Sequence, residues 1–369
     1  DPSQDAGTKR LLDAQTLAAQ RFASAQIDNF QQRLERMHGA GEGTGFSNDI
    51  SAVVQADCPQ QVGTIPGRRC ERRTAGETGI DGMQQTRGKD GKAAFGVWAS
   101  GMIRSGNHDG RNRDPGIEFE TDGVSVGVDY RLNTAFAFGG GLGYGRDESD
   151  IGESGSRSES DAFTVALYAS YSPGERGFVD ALLGYQSLGF DLRRPVATSG
   201  NVVVGSRDGR QWFGSVSTGA DIQRESWQFT PYARLDLAQA TLDAYTESGD
   251  PSNALAYDDL QVETTTGNAG LRIDYRHKTG WGMFSPQFRV EYQRDFKGNG
   301  AQTIRYADLP AGPFYRAQLN DFDRSRLMLG LGLLFNFDND WSFKLDYRGL
   351  IGSDGDRDHG IQLNADRKF

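Results

Sequence analysis

Four histidines, His38, His108, His277 and His359, are the groups in this 369-residue chain best suited to acid–base work near neutral pH. A hydrolytic site built on one of them needs a nucleophile and an orienting carboxylate within hydrogen-bond reach. The spacing offers none: His38 falls in a helical stretch, and the other three fall in loops, turns or strand ends. No G-x-S-x-G stands at a strand-to-helix turn, and the run Gly139 to Gly143 lies inside a strand-like segment, where small residues permit close packing or bending. The chain is therefore expected to be no enzyme and to need no cofactor. Cys58 and Cys70 share one polar stretch punctuated by Gly and Pro, and an even pair reads as one small disulfide loop formed in an oxidising compartment. Two free thiols are the alternative; zinc is disfavoured, since neither His38 nor His108 stands at ligand spacing.

The remaining chemistry-bearing residues are charges that recur with period two. Val124, Val126, Val128 and Tyr130 alternate with Ser125, Gly127, Asp129 and Arg131. Leu271, Ile273 and Tyr275 alternate with Arg272, Asp274 and Arg276; Phe288, Val290 and Tyr292 with Arg289, Glu291 and Gln293; Phe343, Leu345 and Tyr347 with Lys344, Asp346 and Arg348. Each run is a strand with one greasy and one charged face. A soluble sheet would turn the charged face outward, so alternation alone leaves the solvent open.

Three features settle it. Twelve such runs lie between 93 and 369, several longer than the usual five or six residues and long enough to cross a bilayer when tilted. Their connections alternate: RLNTAF, YSPGERGF, QRESWQF, RHKTGWGMF and FNFDNDWSF are tight, whereas those near 105–115, 147–158, 191–209, 243–257 and 297–320 are long and polar. Aromatics flank every tight turn: Tyr130 and Phe136, Tyr171 and Phe178, Trp227, Tyr275 and Trp281, Phe337 and Trp341, as a girdle at one membrane interface requires. Composition agrees. Only 36% of residues are hydrophobic, with 49 glycines and 11% aromatics, too few aliphatics for a thick soluble core but right for strands greasy on one face. The net charge of -10 argues against nucleic acid as a partner. These features specify an all-β fold, a 12-stranded antiparallel transmembrane β-barrel.

Two further segments precede that barrel. Asp1 to Gly7 is polar and forms no signal peptide, so the chain reads as a mature product or a C-terminal fragment. Residues 8–38 contain no Gly or Pro and read as one helix, about 45 Å long at roughly 1.5 Å per residue, inside a unit spanning 1–39. Ala19, Ala23, Ile27, Phe30, Leu34 and Met37 make one apolar stripe on it, which suits a groove, a coiled coil or a surface helix equally. Residues 40–92 lack periodicity and read as a linker carrying the disulfide loop, before a barrel at 93–369.

One amphipathic helix, a twelve-strand barrel and a final Phe369 together resemble the translocator domain of classical autotransporters, the type V secreted proteins. The resemblance covers the helix and residues 93–369 and rests on architecture, girdle turns and terminus. It implies that the helix is the end of an exported passenger and sits inside the lumen, with the stripe of Phe22, Ile27, Phe30 and Leu34 pressed on inward-facing aromatics such as Tyr168, Phe213 and Tyr232. Asp129, Arg131, Arg272, Asp274, Arg289, Glu291, Lys344 and Asp346 would then line the lumen. It implies that Ile361, Leu363, Ala365 and Phe369 form the signal read by the barrel-assembly machinery, with Arg367 at a place that is usually apolar. The implied partners are outer-membrane lipid and lipopolysaccharide, that machinery, periplasmic chaperones and the chain's own passenger. The long loops would be extracellular, the tight turns and C-terminus periplasmic. Acidic groups placed in the outer loops, Asp147, Glu148, Asp150 and Glu153, would bridge to lipopolysaccharide phosphates through divalent cations. Some members cleave the helix at paired Asn residues; here Asn29 stands alone after Asp28, and cleavage is not expected. The competing function is a diffusion pore plugged by its own N-terminal segment.

Overall fold

Inside lipid every backbone N–H and C=O must find a protein partner, so period-two strands are stable there only as a closed ring. The computed structural model describes residues 1–38, 50–52, 94–108, 115–152, 155–174, 176–297, 300–319, 324–337, 341–352 and 357–367. Among them twelve long antiparallel strands form one barrel: β1 (Ala94–His108), β2 (Ile117–Arg131), β3 (Phe136–Ile151), β4 (Ser156–Tyr171), β5 (Gly177–Pro195), β6 (Val202–Ala220), β7 (Trp227–Leu242), β8 (Leu260–Tyr275), β9 (Gly282–Asp295), β10 (Ser325–Phe337), β11 (Trp341–Gly352) and β12 (Arg357–Arg367). Each pairs with its neighbour in sequence, and β12 returns to β1 from Arg357↔Asn107 to Asn364↔Ser100, leaving no open edge over that span. In the segment read as an aperiodic linker, Ile50–Ala52 pairs with Phe95–Val97 of β1 beyond the point where β12 leaves it.

The expected faces are obeyed. Val126, Leu142, Leu167, Leu183, Val216 and Leu331 project outward and stay exposed, while Ser125, Thr164, Gln186, Asn268 and Gln362 point inward and are buried. In water the outer belt would be an aggregation surface; in lipid it meets its own kind. The girdle holds at Tyr171, Trp227 and Trp281, which remain exposed beside the tight turns. Phe178 departs from it: its ring points into the lumen and stacks on His38 at 3.8 Å. A residue next to a turn can face either way, and here an inner partner decided which.

The long connections differ most from the loops expected. Strands continue through 147–158 to Ile151 and resume at Ser156; through 191–209 they reach Pro195 and resume at Val202. β5 and β6 have 19 residues each, against roughly 9 to 11 for a bilayer crossing, so backbone pairing carries them well into water. Connections 243–257 and 297–320 hold a second antiparallel sheet, a cap of Tyr245–Thr246, Leu255–Tyr257, Ala301–Tyr306 and Tyr315–Gln318 in that order. These strands are too short for alternation to show, and the pairing that joins the two connections, Leu255–Tyr257 with Ile304–Tyr306, links distant parts of the chain.

Helix α1 (Ala6–Met37) threads the barrel. Asp5 caps it by accepting the Thr8 N–H at 2.8 Å, and no residue inside it after Gly7 breaks it. Two buried clusters hold it. At the long-loop end, Leu11, Leu12, Leu17 and Phe22 pack with Ile117, Ile151, Leu188, Phe190, Leu242 and the cap residues Tyr245, Leu255, Tyr257 and Ile304. At the tight-turn end, Ile27, Phe30, Leu34 and Met37 pack with Trp98, Tyr168, Leu182 and Phe213.

Candidate functional site: the helix-filled lumen

A helix can lie flat on a strand only where the strand carries no bulk. β3 provides this with Gly139, Gly141, Gly143 and Gly145 on its inward face. A Cβ added at Gly141 would stand 2.7 Å from the Phe30 ring, one at Gly143 2.5 Å from the Gln26 side-chain oxygen, and one at Gly145 3.3 Å from Phe22. The glycine run is thus the seat of the helix, and β2 to β6 form the wall it leans on.

Beside that seat Phe30 enters an aromatic cage. Its ring lies 5.3 Å from Trp98, edge to face, and 5.6 Å from Tyr168. The Trp98 indole N–H donates to the Tyr168 hydroxyl at 2.7 Å, fixing both rings. The expected partners Tyr168 and Phe213 are both in the Phe30 cluster. Tyr232 is not: its hydroxyl donates to Glu291, and Arg289 lies over its ring at 5.5 Å. Trp98 carried no sequence signal apart from a place on the inward face of the first strand.

The polar stripes of the helix are matched group by group. Arg33 makes a two-pronged contact with Asp129 at 2.7 and 3.0 Å, both side chains buried. Arg21 does the same with Asp147 at 2.6 Å for both prongs and adds Ser149 at 2.8 Å. Glu35 receives Arg289 at 2.6 and 2.7 Å and Arg272 at 2.8 Å. Asp28 faces Arg348 at 3.2 Å and Arg234 at 3.8 Å. The Asn29 amide donates to Ser125 at 3.0 Å and that of Gln31 to Ser215 at 3.0 Å, while Gln32 bonds Gln362. At the C-terminal end, where helix carbonyls lack partners and the dipole is negative, Arg131 donates to the Met37 carbonyl at 2.8 Å and His38 sits against Asp180 at 2.7 Å.

All eight expected lumen residues face inward. Asp129, Arg131, Arg272 and Arg289 grip the helix; Asp274, Glu291, Lys344 and Asp346 hold charges on the wall, with Arg272–Asp274 at 3.3 Å and Lys344–Asp346 at 3.1 Å. The stripe residues Phe22, Ile27, Phe30 and Leu34 are all buried. Asp147, placed in an outer loop by the sequence, is a buried wall residue holding Arg21, so it is not free to bridge to lipid; Glu148 and Asp150 lie on the outer face of β3 beside Arg157. Ile361 and Leu363 face outward and are exposed. Cys58, Cys70, Glu153 and Phe369 lie outside the described residues, and of Ala365 only the backbone, in β12, is described. Asp180, Asp147 and Glu35 were the missed partners, each recognisable only once a helix is placed inside the ring.

On the side opposite the glycine seat, the helix leaves a cavity of about 100 Å³ lined by Asp28, Arg104, Arg234, Asp236, Arg348 and Asp358. Its charges are largely paired, Arg104 with Asp358 and Arg234 with Asp236 at 2.9 Å. Among the described residues no cluster of His, Cys, Asp or Glu could hold a metal.

A model of the Autotransporter beta-domain family matches residues 97–348. The chain belongs to the autotransporter β-domain family. Its barrel is an outer-membrane translocator barrel. This autotransporter β-domain is 25% identical over 198 residues to Esterase EstA of Pseudomonas aeruginosa, a match covering 52% of this chain and 30% of that protein. The chain thus spans under a third of that curated relative. Among solved structures, the translocator domain of autotransporter NalP from Neisseria meningitidis superposes with a TM-score of 0.60 at 18% identity, covering 74% of this chain and 88% of that one. The β-domain of the Bordetella autotransporter BrkA gives 0.54 at 15% identity, covering 74% and 99%. At those identities the likeness is one of fold.

Proposed function

We propose that this barrel exports and then anchors a passenger joined to the N-terminal end of α1, with the helix left in the pore as plug and tether. One observation carries the reading: the direction of the helix. Its C-terminal end lies among the tight turns, at Arg131 and Asp180, and its N-terminal end among the long hairpins and the cap, so the chain running upstream leaves on the long-loop side. A plug serving only to close a diffusion pore has no need of that polarity, nor of a wall matched to it along its length.

The long hairpins are then extracellular and the tight turns periplasmic. Cysteine in place of Ser252 should label from outside intact cells and cysteine in place of Asn133 should not; labelling at Asn133 with protection at Ser252 would reverse the topology. We further propose that the exposed pair Ile361 and Leu363, with Phe369, is what the barrel-assembly machinery reads after periplasmic chaperones deliver the chain. Deleting Phe369 should reduce heat-modifiable barrel in the outer membrane far more than it reduces synthesis; equal levels in variant and parent would refute this. Lipopolysaccharide would contact the outer belt. The barrel itself is proposed to perform no catalysis, any chemistry residing in the passenger.

A further inference from the structure

The cap sheet packs on the outer half of α1, and its strand order ends at Tyr315–Gln318. Its last strand, Tyr315–Gln318, pairs with Ala301–Tyr306 on one side, and among the described residues its other edge pairs with no strand. The short helical turn Pro2–Gln4, immediately upstream of α1, packs against that strand, and Pro2 and Ser3 are buried there. The connection leading into the strand carries Leu309 at 53% exposure and Phe314 at 62%, separated by Pro310, Ala311, Gly312 and Pro313. These two side chains are not part of the lipid belt. Ala307, two residues before Leu309, packs with Val196 and Val203 of the long β5–β6 hairpin and with Ala254 of the 243–257 connection, on the long-loop side of the barrel.

A free strand edge with exposed large apolar residues is a liability in water unless something covers it. We propose that this edge, with Leu309 and Phe314, is the docking base for the part of the passenger immediately upstream of Asp1. The inference rests on the passenger reading above. What selects the occupant is continuity: the turn Pro2–Gln4 packs against Tyr315–Gln318, so a segment joined upstream of Asp1 would start beside that strand. Its chemistry suits an extended, partly apolar segment, which would supply backbone partners to Tyr315–Gln318 and bury the two side chains. Exposed Arg316 adds a preference for acidic side chains at its rim, while Arg305, whose guanidinium lies 5.5 Å over the Phe314 ring, already faces Asp258 at 3.9 Å.

The test compares amide hydrogen exchange in the full passenger-bearing protein and in the present chain, both in lipopolysaccharide-containing vesicles. The amides of Leu309, Gly312 and Phe314 to Gln318 should exchange at least about tenfold more slowly when the passenger is present. Leu309→Asp with Phe314→Asp should erase that difference and increase protease cutting of the passenger near its junction. The barrel should remain heat-modifiable, since neither residue touches the lumen. Equal rates in both proteins, with the passenger displayed on the cell surface, would overturn the docking base while leaving export intact. Failure of the passenger to reach the surface would overturn the export reading instead. Protection that appears in the present chain alone and grows with its concentration assigns the patch to a second copy; protection that needs lipopolysaccharide assigns it to lipid. Either outcome rejects the proposal.

Discussion

The two halves of α1 are held by different physics. From Ala23 to Met37 the helix is surrounded by a polar wall, and its grip is a set of matched charges and amides around one aromatic knot at Phe30. From Ala6 to Phe22 it lies in an apolar sleeve of hairpin and cap residues, with Arg21–Asp147 as the main charged clamp. The inner half therefore gains specificity from pairing, because buried ion pairs offset their desolvation cost only when geometry and partners are right. The outer half gains stability from area, which is tolerant of register. A segment drawn through a pore in an extended form would slide past a polar wall without sticking to it, and would stop where every charge finds its partner at once.

Breaking the inner half should have the largest effect. Phe30→Asp with Leu34→Asp removes roughly 1.5 to 3 kcal/mol of burial per side chain and strands two carboxylates in the cluster of Trp98, Tyr168, Leu182 and Phe213. We expect a lower unfolding temperature and new ion conductance; an unchanged barrel in both respects would show that the knot is not needed. Next, Arg33→Met leaves Asp129 buried without its partner, a loss on the order of 3 to 5 kcal/mol, whereas adding Asp129→Leu should recover most of it. Two additive losses in that thermal-unfolding cycle would break the contrast drawn between the halves. In the sleeve, Leu17→Ala should cost about 2 to 5 kcal/mol but without raising conductance, since the inner half keeps its pairs. Hydrogen exchange should rise over Leu11 to Phe22 only; a rise over the whole helix would make it one cooperative unit.

The smallest effect sharpens the role of the extracellular hairpins. Asp250 ties two of them together, accepting from Ser199 at 2.6 Å, Asn253 at 3.0 Å and Asn201 at 3.1 Å. These bonds, that from Ser199 foremost, lower its pKa from an ordinary 3.8 to about 2. A carboxyl depressed on folding contributes stability above its unfolded pKa and loses that contribution as pH falls through the folded one, so the clasp should open between pH 4 and 2. Pepsin should cut near 196–201 increasingly over that window, and Asp250→Asn should be cut already at pH 4. A flat profile in the parent would remove the clasp from the account.

What was legible in the sequence follows the same division. The barrel was readable because Val124 to Arg131 and its counterparts repeat with period two, and the stripe on α1 was readable because Ile27, Phe30 and Leu34 repeat with the helix period. Those two patterns were enough to bring Phe30 to Tyr168 and Phe213. Whatever depended on where a strand stops was not readable. Asp147 looked like a loop residue because it follows the membrane-spanning part of β3, yet pairing continues to Ile151 and keeps it on the inward face. Phe178 looked like girdle because it adjoins a turn. The cap carries no sequence signal because strands of two to six residues show no period, and one of the two partners of Leu255–Tyr257 lies more than forty residues away.

The central claim is that α1 fills the lumen and is held there by its own wall, and single-channel conductance in planar bilayers tests it most directly. The complete chain should pass little current, a variant lacking residues 1–38 should open to a channel several times larger, and a disulfide between cysteines placed at Asn29 and Ser125 should hold the closed state in the otherwise complete chain until it is reduced. Equal conductance with and without residues 1–38, and no cross-link between those positions, would put the helix outside the barrel and contradict the account.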